Sequence, residues 1–213
     1  MRIYRLALWS LFIALAMRMS WSIGRFVTTD PDTLPYPQVL SYVSILPVVL
    51  THGACGVLAL FSGPFAFLLA NHPTYKKSHR ALGRTYMIAV LIASLTGVVM
   101  SARAYGGLIS KAGFMALSLA WLFTICQAYV TIRARQIARH RAWMIRNYAL
   151  TFAAVMIRQY ISLLQLADYD YNMIYPLCAW LSWLPQLFAV ELYLARHAII
   201  KYSSFMQHRA KEA

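Results

Sequence analysis

The stretch AGFMALSLAWLFTICQAYVTI, residues 112–132, carries no charged residue over twenty-one positions. A helix rises ~1.5 Å per residue, so this run spans ~30 Å, the thickness of a bilayer's hydrocarbon core. Lys111 stands just before it and Arg133 just after it. Charge therefore begins where the apolar run stops. Runs of similar length recur along the 213 residues, of which 61% are hydrophobic and only 12% charged. Mean hydropathy is +0.55. A soluble domain of this size needs more charge to cover its surface. The fold class read from these facts is all-α, a polytopic transmembrane helical bundle of about six spans.

The spans are expected at about 4–23, 38–69, 83–101, 112–132, 147–166 and 173–200, in a single membrane domain over residues 1–213. The first follows Arg2 and Arg5 and so mimics a signal peptide. MRMSWS at 17–22 is a poor cleavage site, which makes the run an anchor. The second span is expected to be interrupted at Pro47, Gly53, Gly56 and the SGP of 62–64. The polar tail from Lys201 is expected to fray.

A net charge of +14 would suggest nucleic acid in a soluble protein. Here the basic residues lie between apolar runs, where they set topology and meet anionic headgroups; no nucleic-acid partner is implied. Fifteen Lys and Arg fall in the loops and tails of one side, including Lys76, Lys77, Arg133, Arg135 and Arg139. Three, Arg25, Arg103 and Lys111, fall on the other. Both termini are therefore expected in the cytoplasm. Cys55, Cys126 and Cys178 all sit in apolar runs with no zinc or disulfide spacing, and read as small hydrophobes.

Two groups of polar residues do not fit plain lipid-facing helices. Arg158 is eleven positions after Asn147, or ~16 Å into the fifth span. Counted from its own entry, His52 is ~15–21 Å into the second. Both land near one depth. Thr151, Arg158, Ser162 and Gln165 recur at helical spacing, and lipid contact would be costly for that face, so it should point inward. Gly53 and Gly56 beside His52 let a backbone or a flat ligand approach. No acid lies at that depth, so Arg158 needs carbonyls, water or a bound anion such as an organic acid or a quinone-like molecule. The second group is at the basic boundary. His79 heads the third span, followed by Arg80 and Arg84. His140 heads the fifth, followed by Arg141 and Arg146. Two histidines at one depth suit the iron of a b-type haem, with these arginines on its propionates. They equally suit a basic cluster on anionic lipid. Glu191 should pair with Arg146 or Arg196. Walker, GxSxG, HExxH, dinucleotide and CxxCH motifs are absent from the sequence.

THGACGVLALFSGPFAF (51–67), SHRALGRTYMIAV (78–90), AGFMALSLAWL (112–122) and HRAWMIRNYALTFAAVMIR (140–158) carry a resemblance. Over about residues 45–165 the chain resembles a bacterial membrane family, domain of unknown function 2306. The matching positions include His52, Gly53, Gly63, Pro64, His79, Arg80, Arg84, Tyr86, His140, Trp143, Arg146 and Arg158. The resemblance implies a multi-pass protein of the cell inner membrane and no particular activity. Three functional readings stay open: a redox protein similar to small di-haem cytochromes b, a transporter or binding protein for an organic anion with Arg158 as counter-charge, and a cofactor-free structural or assembly partner. Against the first stands the lack of a second intramembrane histidine at the depth of His52.

Overall fold

A computed structural model describes the backbone of residues 38–212 and the side chains of residues 41–198. The expected first span lies outside these residues. The described residues form seven α-helices: α1 (Gln38–Val43), α2 (Leu46–Leu69), α3 (Lys76–Ser101), α4 (Gly107–Arg133), α5 (Ile137–Leu166), α6 (Tyr171–Leu181) and α7 (Leu184–Glu212). A 3-10 turn, Pro73–Tyr75, leads into α3. Among the described residues, five segments are long and apolar enough to cross a membrane: Leu46–Leu69, Pro73–Ser101, Gly107–Arg133, Ile137–Leu166 and Tyr171–Ala198.

Several boundaries differ from the sequence expectation, for identifiable reasons. The second span breaks only once, at Ser44–Ile45, where Pro47 enters the first turn of α2 and has no N–H to leave unpaired. Gly53, Gly56 and Pro64 lie within continuous helix. Inside a bundle, neighbouring helices support the backbone around such residues. Helices α3 and α5 begin well before their apolar runs, so Lys76–Gly83 and Ile137–Arg146 are helical although charged. The last span is two helices, broken at Ser182–Trp183. Its helix runs on to Glu212, in place of the expected frayed tail.

The turns close by recognisable chemistry. After α4, Arg135 takes φ +59, while Gln136 N–H donates to Thr131 and Arg135 N–H to Ile132. After α5, Asp168 takes φ +60, with the same pair of bonds from Tyr169 to Leu164 and Asp168 to Gln165. Both are Schellman endings, which satisfy the last carbonyls of a helix. Asp170 then caps α6 by accepting from Asn172 N–H at 3.2 Å.

Consecutive helices α2 to α5 pack antiparallel, α5 returns to touch α2, and α6 and α7 lie against this group. Small residues lie at the helix contacts, with Ala59, Ala89, Ala93, Ala128 and Ala153 all at most 2% exposed, beside buried Leu60, Tyr86 and Val90. Leu58, Leu68, Ile88, Leu95, Phe123, Val130 and Phe188 face outward. An outer face of large apolar side chains with small residues at the helix contacts is the arrangement of a lipid-facing bundle, where close backbone approach replaces the hydrophobic drive. At Gly63 a Cβ would sit 2.6 Å from the Tyr148 ring, so the α2–α5 approach depends on glycine there.

Candidate functional site

Antiparallel order puts the start of α2, the end of α3, the start of α4 and the end of α5 at one end of the bundle. The basic turns Leu69–Arg84 and Arg133–Arg146 are at the other. A cavity of about 350 Å³ lies between α2, α3, α4 and α5, in the half away from the basic turns. His52, Gly53 and Gly56 line it from α2, Gly97 from α3, Ser118 and Trp121 from α4, and Thr151, Arg158 and Ser162 from α5. Tyr42 of α1 and Tyr171 and Tyr175 of α6 line its outer end. His52 and Arg158, from helices far apart in sequence, thus share one space. They lie ~8 Å and ~10 Å from the midpoints of their helices, both toward the same end. These offsets are from the helix midpoints: α5 starts ten residues before its apolar run, and α2 starts at Leu46, eight residues after the expected start of the second span.

His52 is held rigidly. Its Nδ1 is 2.8 Å from the Ala93 carbonyl of α3. A carbonyl only accepts, so Nδ1 carries a proton in this contact. The Trp121 ring meets it edge-on at 6.4 Å. Gly97 makes room: a Cβ there would lie 2.8 Å from Ser118 Oγ and 3.3 Å from His52 Cε1. Arg158 donates from one guanidinium nitrogen to Ala154 O, one turn back, at 2.6 Å. Its charge lies within electrostatic range of His52 and Tyr175. Among the described residues, the lining contains no carboxylate and no cation besides Arg158. Ser182 Oγ is buried and has no hydrogen-bond partner among the described residues, and Ser182 also lines the cavity.

The wall toward the basic end is a closed polar network. Tyr86 OH donates to Asn147 Oδ1 at 2.6 Å and lies 2.8 Å from Thr151 Oγ1. Asn147 Nδ2 donates to Trp121 O and Thr124 Oγ1, and Trp121 Nε1 donates to Thr151 Oγ1 at 3.0 Å. Tyr86 and Asn147 are fully buried. Trp121 and Thr151 therefore belong to both the network and the cavity wall.

Gln165 is exposed and does not reach the cavity. It continues the stripe of Arg158 and Ser162, but it lies in the last turn of α5, beyond the packed part of the bundle. Trp121, Ser118, Gly97 and the tyrosines are not legible in the sequence as site residues, because apolar and small side chains in apolar runs carry no polar signal.

The second group sits at the basic end. His79 Nδ1 is 2.9 Å from Ala66 O, and His140 Nδ1 is 2.8 Å from Ala128 O. Each histidine thus ties the first turns of its helix to the last turns of the helix before it. The two imidazoles lie within electrostatic range of each other. Arg80, Arg84 and Arg141 are exposed around them. Arg146 is not available as an anion ligand in the same way: it pairs in bidentate fashion with Glu191, at 2.5 and 2.8 Å, and lies over the Trp143 ring. Among the described residues no three His, Cys, Asp or Glu side chains group to hold a metal ion.

Residues 49–194 match the model of a family described as Predicted membrane protein (DUF2306). The match takes in both histidine groups, Arg158 and the Arg146–Glu191 pair between α5 and α7, reaching further than the sequence resemblance over 45–165. No curated protein and no solved structure matches.

Proposed function

We propose, since the chain belongs to the DUF2306 family of predicted membrane proteins, that it is a membrane-embedded binding protein for a small organic anion or quinone-like molecule. The observation that carries this reading is the mostly apolar cavity that His52 and Arg158 share. A guanidinium keeps its charge. An intramembrane cation facing a cavity is a ligand site by default. The volume is at the lower end of small-molecule pockets, and the lining is mostly apolar with a few polar groups, as such pockets are. The test is a titration of purified protein with benzoate and with 1,4-naphthoquinone, read by tryptophan fluorescence. Saturable binding of at least one is expected. Saturation by neither in folded protein would overturn the reading and leave a cofactor-free structural or assembly role.

The histidine pair favours a second reading, a b-type haem at the basic end. Metal-bound histidines commonly donate their other ring nitrogen to a backbone carbonyl, which fixes the tautomer and aims Nε2 at the metal. His79 and His140 both have Nδ1 on a carbonyl. Arg80, Arg84 and Arg141, exposed near the two histidines in the same basic turns, would hold the haem propionates. Haem would supply one-electron chemistry there. Protein purified from haem-sufficient cells should then show a Soret band, and His79→Ala and His140→Ala should each remove it. A colourless, folded wild type would reject this reading and leave the cluster to anionic lipid headgroups.

Orientation follows the charge bias. We place the basic end in the cytoplasm of a cell with an inner membrane, with the first apolar run as a sixth span and both termini inside. Reporter fusions after Ala213 and within residues 71–79 should both report cytoplasm, and one near Asp168 the opposite side. A periplasmic signal at the C-terminus would overturn the even-span arrangement.

A further inference from the structure

We infer that the cavity ligand is a molecule of the quinone class, a ring with oxygens on opposite edges, and that Ser182 hydrogen-bonds one of those oxygens. This rests on the binding function proposed above and selects one of its two ligand classes. Among the described residues, the buried side-chain atoms without a hydrogen-bond partner are Ser182 Oγ and both amide atoms of Gln186. The two residues stand one turn apart, Ser182 in the break between α6 and α7 and Gln186 at the start of α7. Other hydroxyls of the bundle return their hydrogen to a carbonyl three or four residues back, as in Ser62, Ser94, Ser101, Thr124 and Thr131. Ser182 does not, although it is only 1% exposed. A hydrocarbon core supplies no water to such a group, and leaving it unpaired is costly. Ser182 lines the cavity, whereas Gln186 does not. The cavity is therefore where the Ser182 hydroxyl meets a partner.

The ligand class follows from where the polar side chains stand. Ser182 enters from the end of α6, which packs on α4, α5 and α7. His52 enters from α2 and is bonded to α3. Counted from helix starts at the same end of the bundle, His52 lies ~9 Å deep and Ser182 ~16 Å. A molecule with one polar group meets only one of these places. A para-quinone carries two acceptor oxygens on opposite edges of one ring and meets both. A hydroxyl can donate to such an oxygen. The rest of the wall suits the ring. Trp121, Phe114 and Tyr175 supply aromatic surface, and Gly53, Gly56 and Gly97 leave α2 and α3 without side chains where they face the cavity. The volume of about 350 Å³ suits one single or fused ring system.

The experiment titrates full-length protein in detergent, by calorimetry, with 2,3-dimethyl-1,4-naphthoquinone, with 2,3-dimethyl-1-tetralone and with benzoate. The quinone and the tetralone share a bicycle and differ by one carbonyl, and the methyl groups block addition of cysteine thiols. The wild type should bind the quinone about tenfold more tightly than the tetralone, since a site that hydrogen-bonds a group rejects the analogue lacking it. Ser182→Ala should bring the two within about twofold of each other. Without ligand, the same variant should melt no lower than the wild type, because it removes a buried hydroxyl that has no partner in the fold. Gln186→Leu, outside the lining, should keep the preference. Equal binding of quinone and tetralone by the wild type would overturn this inference and leave the binding function standing. So would a preference that survives Ser182→Ala, one lost equally in Gln186→Leu, or a ligand-free Ser182→Ala that melts lower, since the hydroxyl would then serve the fold. Saturation by benzoate with neither ketone binding overturns the inference alone. Saturation by no probe overturns both.

Discussion

Arg158→Leu should lower the affinity for the cavity ligand by about one to two orders of magnitude while the protein still folds and purifies. A charge-assisted hydrogen bond contributes ~1.5–3 kcal/mol, and each 1.4 kcal/mol is tenfold in a binding constant. The folded bundle should tolerate the loss. The Ala154 carbonyl that accepts from the guanidinium also accepts the backbone N–H of Arg158 in the α5 ladder, so truncation leaves no orphaned backbone group. A cationic side chain is costly to keep inside a bilayer, which offsets part of what its removal costs. Arg158→Lys should recover at most part of the affinity. It keeps the charge but loses the planar fork and shortens the donor set. Affinity measured by probe titration, with the melting temperature as the fold control, separates these effects. Unchanged affinity in Arg158→Leu would remove Arg158 from the site, whatever its place on the cavity wall.

Arg158 also marks how far the amino-acid sequence alone reaches. The spans are legible in it because bilayer thickness and helix rise leave little freedom: a twenty-residue apolar run has one common explanation. Their ends are not. The first turns of α3 and α5 are rich in Lys, Arg and His, and hydropathy assigns such residues to loops. The fold keeps them helical, with the His79 and His140 rings bonded to the preceding helices. Wherever the helices end, the counts from opposite ends bring Arg158 and His52 to one cavity. Helical spacing also carries Thr151, Arg158 and Ser162 to the cavity and fails one turn later at Gln165. Periodicity gives a face but not where the neighbouring helices end. The glycine at 97 and the indole at 121 emerge only from the tertiary packing, for one acts by shape and the other by shape and a single N–H.

The other large effect is expected at the network below the cavity. Asn147→Ala should destabilise the protein by ~2–4 kcal/mol, seen as a melting temperature lower by roughly 5–15 °C. Asn147 stands at the polar edge of the span expected from hydropathy, yet it is fully buried and joins three helices. Its amide donates to Trp121 O and Thr124 Oγ1 of α4 and accepts from Tyr86 of α3. Interhelical hydrogen bonds in membranes average ~0.6 kcal/mol each, and the vacated volume adds a packing loss to the three. The loss is moderated because Tyr86 keeps Thr151 and the Trp121 carbonyl keeps its helical partner. The coupling is therefore the sharper quantity. In a double-mutant cycle with Tyr86→Phe and Asn147→Ala, the two costs should fall short of additivity by ~0.6–1.7 kcal/mol, the range of measured membrane pairs. Strict additivity would mean that the bond at 2.6 Å contributes nothing to stability. Ligand affinity should fall with the single Asn147→Ala change as well. Trp121 and Thr151 are held by this network and form part of the cavity wall. Loosening them lets the wall sample more positions, which raises the entropy lost when a ligand orders it. A destabilised variant that binds as tightly as the wild type would separate the network from the site and reduce it to a structural clamp.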